Sequence, residues 1–212
     1  MLRKSFYDVK TEIICNECGN VKYDIHYPVI LQPSTVSTGT VNNFSLHQAR
    51  EFEKYVCGVL APAAQMSEEE MRASMRYQIM YSSRFLISYK YEMCAFDANC
   101  KQQFFTKGAV WNTSCGSAVR LTEFFRGNVR YKEIILYILS SKIKEKIAQG
   151  EKFHPDWNTR MYGTFKPENY YICTEGFIFL FPQGTLKADC GRTEEYLVSF
   201  MELRNQMKTG LL

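Results

Sequence analysis

The sequence predicts an α+β fold in which antiparallel sheets are backed by helices, with a small N-terminal unit over residues 1–75 and a larger C-terminal unit over 76–212. Three observations carry this expectation. β-prone runs occur in neighbouring pairs separated by Gly, Asn or Ser, the pattern of hairpins rather than of parallel crossover units. Apolar residues between Tyr131 and Ile147 recur at helical spacing. The 212 residues are 46% apolar, 23% charged and 15% aromatic, which is enough to bury a core and excludes disorder, collagen and coiled coil.

The elements follow in chain order. Glu12 to Cys15 and Val21 to Ile30 flank a Gly- and Asn-containing turn over 16–20 and read as an opening hairpin. After a polar loop from Gln32 to Thr40, Ser45 and Gln48 have the spacing of a capping box and predict a helix start. Ala49, Phe52, Val56, Val59 and Leu60 then form its apolar stripe, and Pro62 is expected to end it. Ser67 with Glu68, Glu69 and Glu70 predicts a short second helix, because first-turn carboxylates complement the helix dipole. Tyr77 to Tyr81 should pair with Phe85 to Met93 across Ser82 and Ser83, and Gln103 to Trp111 with Ser117 to Leu121. The helix from Tyr131 to Ile147 is bounded by Asn128 and Gly150, and another should start at His154 to Trp157. Tyr170 to Thr174 and Phe177 to Phe181 read as a hairpin turning at Glu175 and Gly176, with Tyr196 to Leu203 closing the sheet.

Charge and cysteine usage bound the function classes. The 26 basic and 22 acidic residues are scattered, so the +4 charge implies no nucleic acid partner. The most apolar runs, Ile134 to Leu139 and Phe177 to Phe181, fall far short of the roughly 20 residues of a membrane span. No signal-peptide core follows Arg3 and Lys4, so a cytoplasmic location is expected as written, with the cell envelope or secretion as the alternative if a leader or anchor was removed. The eight cysteines sit within a chain of ordinary core composition, and reduced thiols are the expected state.

Motifs that carry chemistry are sparse. Cys15 and Cys18 have the spacing of half a zinc site, but the other half would have to come from Cys57, His26 or a second subunit; a plain hairpin turn is the preferred reading and zinc the alternative. A cysteine nucleophile would need His26, His47 or His154 as base, assembled only in three dimensions, and structural roles are expected for all three. Phosphate-binding glycine loops and the hydrolase elbow have no match. With 14 Tyr, 15 Phe and 2 Trp, some aromatics should be exposed, and Trp111, Asn112 and Thr113 at a loop form the candidate partner-binding residues. Packing of Trp111 on the core is the competing reading.

Three passages, in this order, resemble a bacterial pairing of domains of unknown function. They are Tyr23 to Ile30 followed by Val41 to Phe44; Gly108 and Ala109 leading to Leu121 to Phe125; and Phe165 to Ile172 followed by Glu175 to Phe181 and Ala188 to Gly191. The chain is similar over nearly its whole length to the RsiV-like ectodomain of lysozyme-sensing anti-sigma factors and to the region at the front of PdaC-type peptidoglycan deacetylases. The resemblance implies a small sheet-and-helix unit before a larger α+β unit, and a fold shared more widely than any activity. The family commonly has His after the Gly-Ala pair, where this chain has Val110, and neither the transmembrane segment nor the deacetylase domain is present here. The function expected is therefore non-catalytic recognition of a protein or glycan partner, with no cofactor. An enzyme acting on cell-wall carbohydrate through a Cys/His or carboxylate site is the alternative, and zinc-dependent assembly through Cys15 and Cys18 a third reading.

Overall fold

Two strands of the opening hairpin, β1 (Asp8–Cys18) and β2 (Val21–Gln32), are longer than the local propensities predict and turn at Gly19, whose φ of 60° lies in the left-handed region open to glycine. The computed structural model describes residues 6–32, 35–64, 71–96 and 101–208. Because β1 runs to Cys18, Cys15 and Cys18 lie within a strand instead of a turn, three residues apart and hence on opposite faces.

Helix α1 (Val36–Tyr55) begins well before the predicted start at Ser45. Its cap is Thr35: the Oγ1 of Thr35 accepts from the Thr38 amide at 3.2 Å, and the Thr38 hydroxyl oxygen accepts from the Thr35 amide at 2.8 Å. Ser45 is instead buried in mid-helix, donating to the Val41 carbonyl and lying 3.0 Å from the Tyr91 hydroxyl. Nor does Pro62 stop the helix. A π turn over Val56–Leu60 intervenes, and Pro62 falls in the first turn of α2 (Ala61–Ala64), where a missing N–H costs little.

Strand β3 (Met71–Ser82) occupies residues expected to follow a helix start; the cap at 67–70 lies outside the described residues. Met71, Ala73 and Met75 are buried alternately, the period of a strand. β3 pairs in parallel with β2, from Val21 opposite Met71 to Ile25 opposite Met75, with α1 as the crossover. The antiparallel expectation fails at this one pair. β4 (Leu86–Phe96), β5 (Gln102–Asn112) and the two-residue β6 (Ser117–Ala118) complete a six-stranded mixed sheet in the order β1-β2-β3-β4-β5-β6.

The remaining chain supplies a 3-10 turn (Leu121–Phe124), α3 (Tyr131–Ala148), α4 (Trp157–Thr164) and a three-stranded antiparallel sheet of β7 (Tyr170–Ile172), β8 (Gly176–Phe181) and β9 (Glu194–Ser199). The strand predicted to reach Leu203 stops at Ser199, which caps the single turn α5 (Phe200–Leu203) by a reciprocal bond with Glu202. The fold is thus α+β.

Alternate residues of β4 and β5 serve two cores. Ile87, Tyr89 and Trp111 face α1 with Val41 and Phe52, whereas Leu86 and Val110 face Phe124, Leu139, Phe177 and Phe179. The small sheet is bonded across the second face: the buried Ser88 Oγ accepts from the Ile172 amide at 2.8 Å, and Lys90 reaches Glu92 and Glu195. The division after residue 75 falls inside β3, which pairs with β2 from Met71 to Met75 and with β4 from Ser74 to Ser82.

Reduced thiols are not found at one pair. Cys18 and Cys57 form a disulfide, with Cα atoms 5.4 Å apart, joining the end of β1 to the π turn. The packing of α1 against β2 brings together two residues that no local pattern links. Cys15, Cys94, Cys115, Cys173 and Cys190 are free thiols, and Cys100 lies outside the described residues.

Candidate functional site

β6 covers only the last two residues of β5, so the edge of β5 from Lys107 to Ala109 is left without a neighbouring strand. Along this edge runs a cleft of about 490 Å³. Its aromatic and apolar wall comes from Phe44 of α1, Trp111 of β5, Val119 and Leu121 after β6, and Pro167 and Tyr170 at the start of the small sheet. The Phe44 and Trp111 rings are 4.9 Å apart between centroids, and the Tyr170 hydroxyl donates to the Val119 carbonyl at 2.7 Å, fixing the opposite wall. A smaller cavity of about 230 Å³ lies further along β5, beside Phe104, Gln183 and Thr193.

Charges stand at the mouth. The Lys107 ammonium lies 5.8 Å from the Phe44 ring centre and donates to Gln48 Oε1. Displacement of water by the surrounding protein holds its pKa below the usual lysine value, with a small opposing pull from Glu51. Arg120 and Glu168 are exposed on the rim. Neither Lys107 nor Arg120 forms an ion pair among the described residues.

Of the three residues singled out in the sequence, Trp111 lines this cleft and is also a core residue, 8% exposed. Asn112 holds the turn into β6, its Oδ1 accepting from the Ser114 amide at 2.9 Å. Thr113 is buried, its hydroxyl 2.5 Å from that of Tyr7, with the Arg84 carbonyl accepting from both. The structure does not bring these two to the cleft. Phe44, Lys107, Arg120 and Tyr170 are not legible as a site in the sequence because they come from separate segments; the aromatic surplus is a signal for Phe44 and Tyr170 alone.

Cys15 and Cys18 do not act together: Cys18 is bonded to Cys57, and Cys15 faces the other way. The zinc reading therefore loses both Cys18 and Cys57 as thiolate donors while they are oxidised. Among the described residues no group of three or more His, Cys, Asp or Glu side chains is arranged to hold a metal ion. On the exposed face of the sheet, Asp24 Oδ1 instead accepts from the Cys15 thiol at 3.2 Å and lies 2.9 Å from His26 Nε2, while Arg76 pairs with Oδ2. The hydrogen bond to Asp24, with burial and the nearby negative charge, pushes the Cys15 thiol up, away from the thiolate a nucleophile requires. His154 is tied to the Gly184 carbonyl at 3.1 Å, and His47 is an exposed residue of α1.

Asp24 makes a pH prediction. Burial would raise its carboxyl, but hydrogen bonds from Cys15 and Arg76 and the charges of Arg76 and His26 outweigh this and hold it below the usual range. A depressed folded pKa stabilises the fold above the ordinary value of about 3.9, and that contribution is lost as pH falls through the folded value. Melting curves recorded from neutral to about pH 2 should therefore show Asp24→Asn less stable than wild type at neutral pH, with the difference closing in acid. A constant difference across that range would refute the assignment.

No protein-family model and no curated protein sequence matches the chain. Solved structures do. A DUF3298 family member from Bacteroides fragilis superposes with a TM-score of 0.63 at 9% identity, covering 97% of this chain and 95% of that one. A DUF3298 family protein from Pseudomonas aeruginosa superposes with a TM-score of 0.62 at 8% identity, covering 96% of this chain and 95% of that one. DUF3298 is the domain associated with RsiV and PdaC, and over nearly its full length this chain has the fold of the DUF3298 family proteins.

Proposed function

We propose that the protein is a recognition module that binds a protein or glycan partner in the cleft beside Trp111. The observation that carries this reading is the combination of an aromatic wall with two cations at its mouth, Lys107 and Arg120, that form no ion pair among the described residues. A cleft of about 490 Å³ is the size of a specific small-ligand or side-chain site. Aromatic rings supply contact area at low entropic cost, and the walls are already fixed by Tyr170 and by the packing of Trp111 on the core. The Cys18–Cys57 disulfide supports placement of the module in an oxidising compartment, the cell envelope or the exterior, in preference to the cytoplasm.

Ala118 is exposed on the cleft wall, so a long side chain there takes up space in the cleft. Wild type should retain members of a combined peptide and glycan array, and Ala118→Arg should weaken them about tenfold or more, a change of at least about 1.4 kcal/mol, at an unchanged melting temperature. Full retention by Ala118→Arg, or no retention by wild type, would refute the proposal.

A further inference from the structure

We infer that the occupant of the cleft is an extended acidic peptide segment that adds as a strand to the open edge of β5, places an apolar side chain against the aromatic wall and offers carboxylates to Lys107 and Arg120. This rests on the recognition reading above and narrows its partner to one class.

The backbone carries the first part. Along β5 the amides of Phe104 and Thr106 leave the ladder to bond Gln183 Oε1 and Thr193 Oγ1, and the carbonyls of Val110 and Asn112 accept from Val119 and Gly116. Every second residue of β5 thus presents its backbone to the same edge, and each of these four groups has a partner there. Gly108 is the residue of that set at the cleft, and among the described residues no strand pairs with β5 beside it on that edge. An unpaired edge position inside an aromatic cleft is what strand addition uses: main-chain bonds give affinity and alternate side chains give selectivity.

The side chains carry the second part. Ten of the cleft's lining residues are aromatic, aliphatic or proline, including Phe44, Trp111, Val119, Leu121 and Tyr170. A polyhydroxylated sugar laid there would leave most of its hydroxyls without partners, a cost an apolar peptide side chain avoids. Lys107 and Arg120 lack carboxylate partners among the described residues, and Glu168 is the one acidic residue of the lining, so the surplus charge selects an anion.

The test measures binding of blocked hexapeptides that carry one central aromatic residue flanked by aspartates, serines or lysines, with a glucuronic-acid oligosaccharide as comparison. The aspartate peptides should bind tightest, and methylating the amide nitrogen of the central residue should abolish binding, because strand pairing needs that N–H. Lys107→Gln and Arg120→Gln should each weaken the aspartate peptide about tenfold, and the double charge reversal to glutamate should transfer preference to the lysine peptide. Both side chains are exposed, and circular dichroism melts of each variant check that the fold is kept.

Binding lost in Ala118→Arg but indifferent to N-methylation or to both charge changes would overturn the peptide inference and leave the cleft reading standing. Tighter binding of the oligosaccharide than of any peptide would do the same. Binding unaffected by Ala118→Arg would overturn both.

Discussion

Cys57→Ala is expected to lower the stability of the fold by about 4 kcal/mol, the loop-closure entropy of a bridge spanning 39 residues. In a chain of this size that corresponds to a melting temperature lower by roughly 10 °C. The bridge ties the end of β1, an edge strand paired in the sheet with β2 alone, to the π turn that ends α1. The loss should therefore appear first at β1. Cys18→Ala and the double replacement should give the same loss as Cys57→Ala, because either single change removes the whole constraint. Reductant should reproduce it in wild type and leave the variants unmoved. Thermal melts with and without reductant check this, and an unshifted melting temperature in reduced wild type would overturn the assignment of the bridge.

Gly108→Ala should be among the most damaging single substitutions in the chain. A Cβ at this position would lie 2.0 Å from the Tyr170 carbonyl oxygen and 2.9 Å from the Tyr171 nitrogen, both backbone atoms that no rotamer change can move. Relief requires the small sheet to withdraw from β5, which would disturb the bond from the Ile172 amide to Ser88 and the wall that Tyr170 builds for the cleft. Overpacking against backbone costs about 3 kcal/mol. Gly39→Ala is the matched control: it lies within α1 with no atom within 4 Å of the added Cβ, so it should gain about 0.5–1 kcal/mol from helix propensity. Chemical denaturation of the two variants beside wild type measures both signs. A Gly108→Ala protein as stable as wild type would show that the two sheets are not in register at this contact.

The same positions show what is legible in the sequence. The helix from Tyr131 to Ala148 and the hairpins at Ser82 and Glu175 announce themselves, because each is decided by residues within a few positions of one another. The start of α1 does not. Ser45 and Gln48 fit a capping box locally, yet Thr35 and Thr38 make the cap, because burying Ser45 beneath Tyr91 requires the helix to continue through it. Likewise the run Met71 to Met75 becomes a strand through parallel pairing with β2, a partner some fifty residues earlier that periodicity cannot name.

The candidate site divides in the same way. Trp111 stands out in the sequence as an aromatic beside a turn, and the structure brings it to a cleft, while its neighbours Asn112 and Thr113 are spent on the turn and on the Tyr7 hydroxyl. Composition, periodicity and turn chemistry determined that this chain builds an α+β core from hairpins and amphipathic helices, since these depend on short-range order in the chain. The disulfide, the parallel strand pair and the cleft on the open edge of β5 were decided only by tertiary packing, because each joins residues whose proximity depends on how whole elements dock.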